Sequence, residues 1–207
     1  NSLIISFSEW AFFSTPYSFT LLVGTVGLLV GSFLNVVIYR LPIIMQRQWR
    51  EECIDYLKFP QDEKTGVTFN LAFPSSHCIH CQTPILFRHN IPVVSYLWLR
   101  GRCFQCHQTI SARYPIIELL TAFTSMIVAW HFGFGVHALA GLILTWVLIA
   151  LSFIDIDHQL LPDILVLPLL WLGLLLSTLE IFTDCKAGII GAVCGYLVLW
   201  LVYHSFK

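Results

Sequence analysis

Two pairs of thiols, Cys78-Ile-His-Cys81 and Cys103-Phe-Gln-Cys106, flank the stretch 82–102. A C-x-x-C pair lets two thiolates grip one ion from a tight knuckle. Two such knuckles complete the closed tetrahedral sphere of a structural zinc ion. The competing readings are a pair of disulfides or a redox dithiol, and the second of these needs only one pair. His77, His80 and His107 lie close enough in sequence to substitute as ligands. Cys53, Cys185 and Cys194 fall outside the spacing and read as packing residues or incidental thiols.

The second concentration of chemistry is Ser152-Phe-Ile-Asp155-Ile-Asp157-His158-Gln-Leu-Leu-Pro162-Asp163. Asp155 follows directly on a long apolar run. A carboxylate near a membrane boundary is costly and therefore a functional hypothesis by default. Desolvation there would raise its pKa toward acid–base work. The plain alternative is a solvated turn, in which Asp163 caps the next helix after Pro162. Asp157 lies two positions from Asp155, so on a continuing helix the two point to different sides.

These groups must be held by apolar elements. The chain has 207 residues, 57% hydrophobic and 11% charged, against about 25% charged in ordinary soluble domains. The excess apolar surface calls for lipid. Ala11–Tyr39 carries no charge, with Leu21–Ile38 its most hydrophobic part. The stretch 119–154 is too long for one crossing and breaks at Gly133-Phe134-Gly135. Further spans are expected over 163–183 and 187–203. The predicted fold is an all-α polytopic membrane protein of five spanning helices with a small zinc-ribbon-like insertion. Its parts are a lead-in and first helix over 1–40, a metal-binding domain over 41–114, and the remaining helices over 115–207. Trp10, Phe12, Phe13 and Tyr17 suit a membrane interface, and no signal-peptide pattern precedes them.

Charge then sets orientation. Of eleven basic residues, all but Lys186 and Lys207 lie between Arg40 and Arg113. Basic loops stay in the cytoplasm, which places 41–114 there and disfavours disulfides. The net charge of -1 offers nothing to nucleic acid; the partner it implies is the lipid bilayer.

With these segments assembled, the sequence resembles the type IV prepilin leader peptidase family. The resemblance rests on Gly31-Ser-Phe-Leu-Asn35-Val-Val-Ile-Tyr-Arg40-Leu-Pro42, the two knuckles with Asn90-Ile-Pro92-Val-Val-Ser95 between them, Leu99-Arg-Gly101-Arg102-Cys103 through Ile110-Ser-Ala-Arg113-Tyr114-Pro115-Ile-Ile-Glu118, and Ile154-Asp155 through Pro162-Asp163. It implies an aspartic protease of the bacterial inner membrane. Such an enzyme cleaves the leaders of type IV prepilins and type II secretion pseudopilins after a glycine. Many members then N-methylate the new N-terminus with S-adenosylmethionine. On this resemblance Asp155 is the first catalytic aspartate, and zinc on Cys78, Cys81, Cys103 and Cys106 is structural.

The family's second aspartate lies in a G-x-G-D motif, and none occurs before Lys207. The resemblance therefore predicts a longer protein with that motif beyond Lys207. Lesser departures are Ile79, where members often carry proline, and Gln82, where glycine is common. Methyl transfer rests on the resemblance alone, since no G-x-G-x-x-G loop is present. Glu118, Arg102 and Asn90 are polar candidates near the cofactor, and Asn35 and Arg40 share a choice between function and helix packing. A contrasting reading is a non-enzymatic membrane scaffold whose zinc ribbon docks a cytoplasmic partner.

Overall fold

The structure, a computed structural model, describes residues 16–58, 70–73, 76–78, 80–85 and 91–206. Trp10, Phe12, Phe13, Ile79 and Asn90 lie outside the described residues. Six helices follow in order: α1 (Pro16–Tyr56), α2 (Val94–Trp98), α3 (Arg113–Phe132), α4 (Val136–His158), α5 (Asp163–Thr178) and α6 (Cys185–Ser205). No strand forms among the described residues; β-structure is confined to two isolated bridges.

Four of these helices, α1, α3, α4 and α6, are long and apolar enough to cross a membrane. The expected fourth span appears as α5, apolar but only 16 residues long. At 1.5 Å per residue it covers about 24 Å, short of a hydrocarbon core of about 30 Å. Helix α1 errs the other way. Its 41 residues span about 60 Å, so its charged end, from Arg47 to Asp55, must leave the lipid. It continues well past Arg40, with the buried Pro42 kept inside it. The break between α3 and α4 falls at Gly133, whose φ of 65° suits a residue without a Cβ.

Helices α1, α3 and α4 form the packed unit, and α5 joins it through α4. Helix α6 packs on α5 and has no buried residue. Apolar side chains crowd the outside, as Leu21, Leu29 and Phe33 do on α1, which is what a lipid-facing surface requires. The inner contact uses small residues instead. A Cβ on Gly27 would stand 2.8 Å from Ala122 Cα, and one on Gly31 would stand 2.7 Å from Glu118 Cα. The backbones of α1 and α3 meet there with no room for a side chain.

Polar groups tie the same helices together. Fully buried Ser125 donates to the Thr121 carbonyl at 2.6 Å and accepts from Trp146 Nε1 of α4 at 2.8 Å. Nearer the other end of α4, Leu34, Ile38 and Leu41 pack with Ile117, Ala150 and the fully buried Ile154. Ile154 is the residue before Asp155, so the core is anchored one position from the carboxylate.

The helix contact yields a test. Gly27→Val should destabilise the protein by about 1–3 kcal/mol or more, because it overpacks backbone that cannot move aside. Gly173→Ala, whose new methyl would meet nothing within 4 Å, should be neutral or slightly stabilising. Thermal unfolding of the purified protein in detergent compares the two.

Candidate functional site

The two cysteine knuckles are copies of one hairpin. In the first, the Cys78 N–H donates to the Thr83 carbonyl at 3.0 Å and the Gln82 N–H to the Cys78 carbonyl at 2.9 Å. In the second, the Cys103 N–H donates to the Gln108 carbonyl at 2.8 Å and the His107 N–H to the Cys103 carbonyl at 3.0 Å. Each is closed by a bridge, His77 with Pro84 and Arg102 with Thr109. The residue after each second cysteine is left-handed, Gln82 at φ 57° and His107 at φ 56°. Gln82, one of the departures from the family pattern, thus stands where glycine carries no steric penalty.

Together the knuckles bring the four thiols into one cluster, all sulfurs within 4.8 Å of one another. Cys78 and Cys106 are 3.8 Å apart, Cys81 and Cys103 4.0 Å. A disulfide requires about 2.05 Å, and all four cysteines are free. A tetrahedron with Zn–S bonds of about 2.3 Å has edges of about 3.8 Å, so the donor set and its spacing fit that ion. Among the described residues the cluster is all cysteine, with none of the three histidines joining it. Cys53, Cys185 and Cys194 are exposed rather than packed.

Local hydrogen bonds divide the protons within the cluster. The Thr83 hydroxyl and backbone N–H hold the Cys81 thiol down to about 6. Backbone N–H groups of Cys106 and Gln105 lower Cys103. At Cys106 the Gln108 N–H pulls downward, but desolvation and the neighbouring sulfurs push the thiol up to about 11. A cation binding here must displace the remaining protons, as thiolate sites do generally.

Buried polar residues join this segment to the helices. Glu118 on α3 accepts the Val93 N–H at 2.7 Å. Asn35 on α1 donates to the Gly31 and Tyr114 carbonyls, both at 3.2 Å. Arg40 reaches the carbonyls of Asn70 at 3.1 Å and Leu71 at 3.3 Å. Gly101, at φ 67°, turns the chain into the second knuckle and sits against the Tyr96 ring. Glu118, Asn35 and Arg40 are therefore engaged with backbone, and exposed Arg102 lies in the second knuckle's bridge.

Asp155 occupies the last turn of α4 and is exposed. Its carbonyl accepts the N–H of Gln159, whose left-handed conformation ends the helix. The enclosure expected for its carboxylate is not supplied by the described residues. Asp163 is the first residue of α5, and Pro162 takes the capping position instead. Proline's extended ψ of 117° places it outside the helix, and an acidic first-turn residue still favours the helix dipole. Between α1 and the turn after α4 an apolar groove of about 320 Å³ is lined by Leu41, Met45, Trp49, Leu160 and Ile164, with Asp163 at its side. Sequence reasoning missed the partner of Asp157. Arg113, at the head of α3, grips it bidentately, at 2.8 and 2.5 Å. No pattern in a single sequence pairs residues so far apart.

Comparison with known proteins agrees with this architecture. The family model of the bacterial peptidase A24 N-terminal domain matches residues 25–132. That of the type IV leader peptidase family matches residues 142–206. The prepilin leader peptidase/N-methyltransferase of Stutzerimonas stutzeri is 53% identical over 94% of this chain and 67% of its own length. The chain belongs to the type IV leader peptidase family.

Proteins of the same description in Aeromonas hydrophila and Legionella pneumophila are 51% and 44% identical, over 96% and 100% of the chain. The chain spans about two thirds of the length of these leader peptidases. No solved structure matches it. It is a polytopic, mostly helical member of a peptidase family, with a four-cysteine cluster able to hold a metal.

The left-handed knuckle residues can be tested directly. Gln82→Val or His107→Val should cost about 1–2 kcal/mol each, since a branched residue resists positive φ. Gln82→Gly should be tolerated. Thermal unfolding of the purified variants in detergent separates the cases.

Proposed function

We propose that this chain carries one carboxylate, Asp155, of an intramembrane aspartic prepilin peptidase. The enzyme cuts type IV prepilin and pseudopilin leaders after glycine and methylates the new N-terminus with S-adenosylmethionine. The observation that carries the reading is the position of Asp155, exposed at the end of a membrane-length helix whose neighbouring residue is locked in the core. Family membership supports the reaction class. Aspartic proteolysis requires two carboxylates, one activating water as general base while the other protonates the scissile carbonyl. The partner carboxylate is assigned to the part of the relatives' length outside the match.

In this reading Cys78, Cys81, Cys103 and Cys106 hold a zinc ion that stabilises the cytoplasmic domain 41–114. Four thiolates leave no open coordination position, so the ion's contribution is to folding. The excess of basic residues between Arg40 and Arg113 supports the cytoplasmic side of the inner membrane for that domain.

Two measurements test these assignments on the full-length protein in membranes. Asp155→Asn should abolish cleavage of a purified prepilin while leaving zinc content unchanged; cleavage at the parental rate would sink the catalytic assignment. Cys78→Ser with Cys103→Ser should reduce bound zinc from about one per chain to near zero and lower the unfolding temperature. Unchanged metal content would rule out the zinc site.

A further inference from the structure

Arg113 and Asp157 form a bidentate pair between the head of α3 and the last turn of α4. The guanidinium also lies over the Phe153 ring, 5.3 Å from its centroid. Phe153 and Asp157 are four residues apart and so share one face of α4. Arg113 therefore holds that face across its final two turns. Asp155 is two positions from each of them. At about 100° per residue it projects about 160° away, on the opposite face.

Fixing one side of a terminal helical turn determines where the other side points. Helix ends fray readily, and α4 ends on a single left-handed residue, Gln159. Ile154 fixes the helix one position before Asp155, through its burial against the cluster that includes Leu34, Ile38 and Leu41. Arg113 fixes it two positions after. We infer that Arg113 and Asp157 are positioning residues, a clamp that holds the last turn of α4 so that Asp155 presents its carboxylate in one direction. The inference rests on the reading of Asp155 as a catalytic carboxylate.

The energetics favour positioning over stability. The two side chains are 39% and 27% exposed, and ion pairs so open to solvent contribute about 0–1 kcal/mol to folding. The bidentate fork nevertheless restricts orientation strongly. A displacement of about 1 Å in a catalytic group can lower the rate about a hundredfold. The pair can therefore matter greatly for turnover and little for unfolding.

The full-length enzyme in detergent, with a purified prepilin as substrate, provides the test. Arg113→Gln and Asp157→Asn should each lower kcat about ten- to a hundredfold, with KM nearly unchanged and the unfolding temperature little moved. The exchanged pair, Arg113→Asp with Asp157→Arg, should recover a large part of kcat. Parental kcat in both single variants would overturn the inference. So would a loss of kcat that follows a loss of folded protein and is not recovered by the exchange. Asp155→Asn, run alongside, separates the two levels. If it still cleaves, the catalytic reading fails; if it is dead while Arg113→Gln turns over normally, only the clamp fails.

Discussion

Inside a bilayer an apolar side chain gains little by facing another helix instead of an acyl chain. Helices must be joined by close packing and by polar contacts. The meeting of α1 and α3 at Gly27 and Gly31 satisfies that constraint, and much of the molecule follows from it. With the two backbones this close, Asn35 reaches the Tyr114 carbonyl. Glu118 stands beside Gly31 while it receives the Val93 N–H. The same helix carries Arg113 at its head, where it takes hold of Asp157 on α4. One steric condition in the membrane thus sets the register of the extramembrane segment above it and the placement of the helix that bears Asp155.

The polar residues buried in these helices are accordingly structural in their contacts. Asn35, Arg40 and Glu118 each bond to backbone of another segment. A buried N–H left without such a partner costs about 1–3 kcal/mol. Their presence in otherwise apolar helices invites a cofactor reading. Their bonds tie α1 to α3 at Tyr114, α1 to the stretch at Asn70 and Leu71, and α3 to Val93.

The features legible in the sequence were those that obey local rules. The C-x-x-C spacing pointed to two knuckles, and the structure gives both the same hydrogen-bond pattern at Cys78 and Cys103. The Gly133–Gly135 break divided α3 from α4 because glycine tolerates the required φ. Other features depended on tertiary balance. The stretch 163–183 is mostly apolar with Glu180 near its end, but the helix ends at Thr178, before Asp184 can open α6. The first helix is bounded in the sequence at residue 40, where the charge-free run ends. In the structure Arg40 is buried and bonded, and the helix runs on to Tyr56. The pairing of Arg113 with Asp157 was illegible because a single sequence records which residues exist, and not which helices touch.

On the proposed reading, the cysteine cluster and the carboxylate divide the labour of the chain by coordination chemistry. Four thiolates whose sulfurs all lie within 4.8 Å of one another can close a tetrahedron around a metal, which would leave no position at which that metal could activate water. Bond-breaking chemistry would then fall to oxygen acids, and Asp155 is the carboxylate that the Arg113–Asp157 pair is proposed to orient. Its exposure fits that role. In the proposed mechanism a group that meets both a substrate backbone and a second carboxylate projects from its own helix bundle, and Asp155 does so between buried Ile154 and ion-paired Asp157.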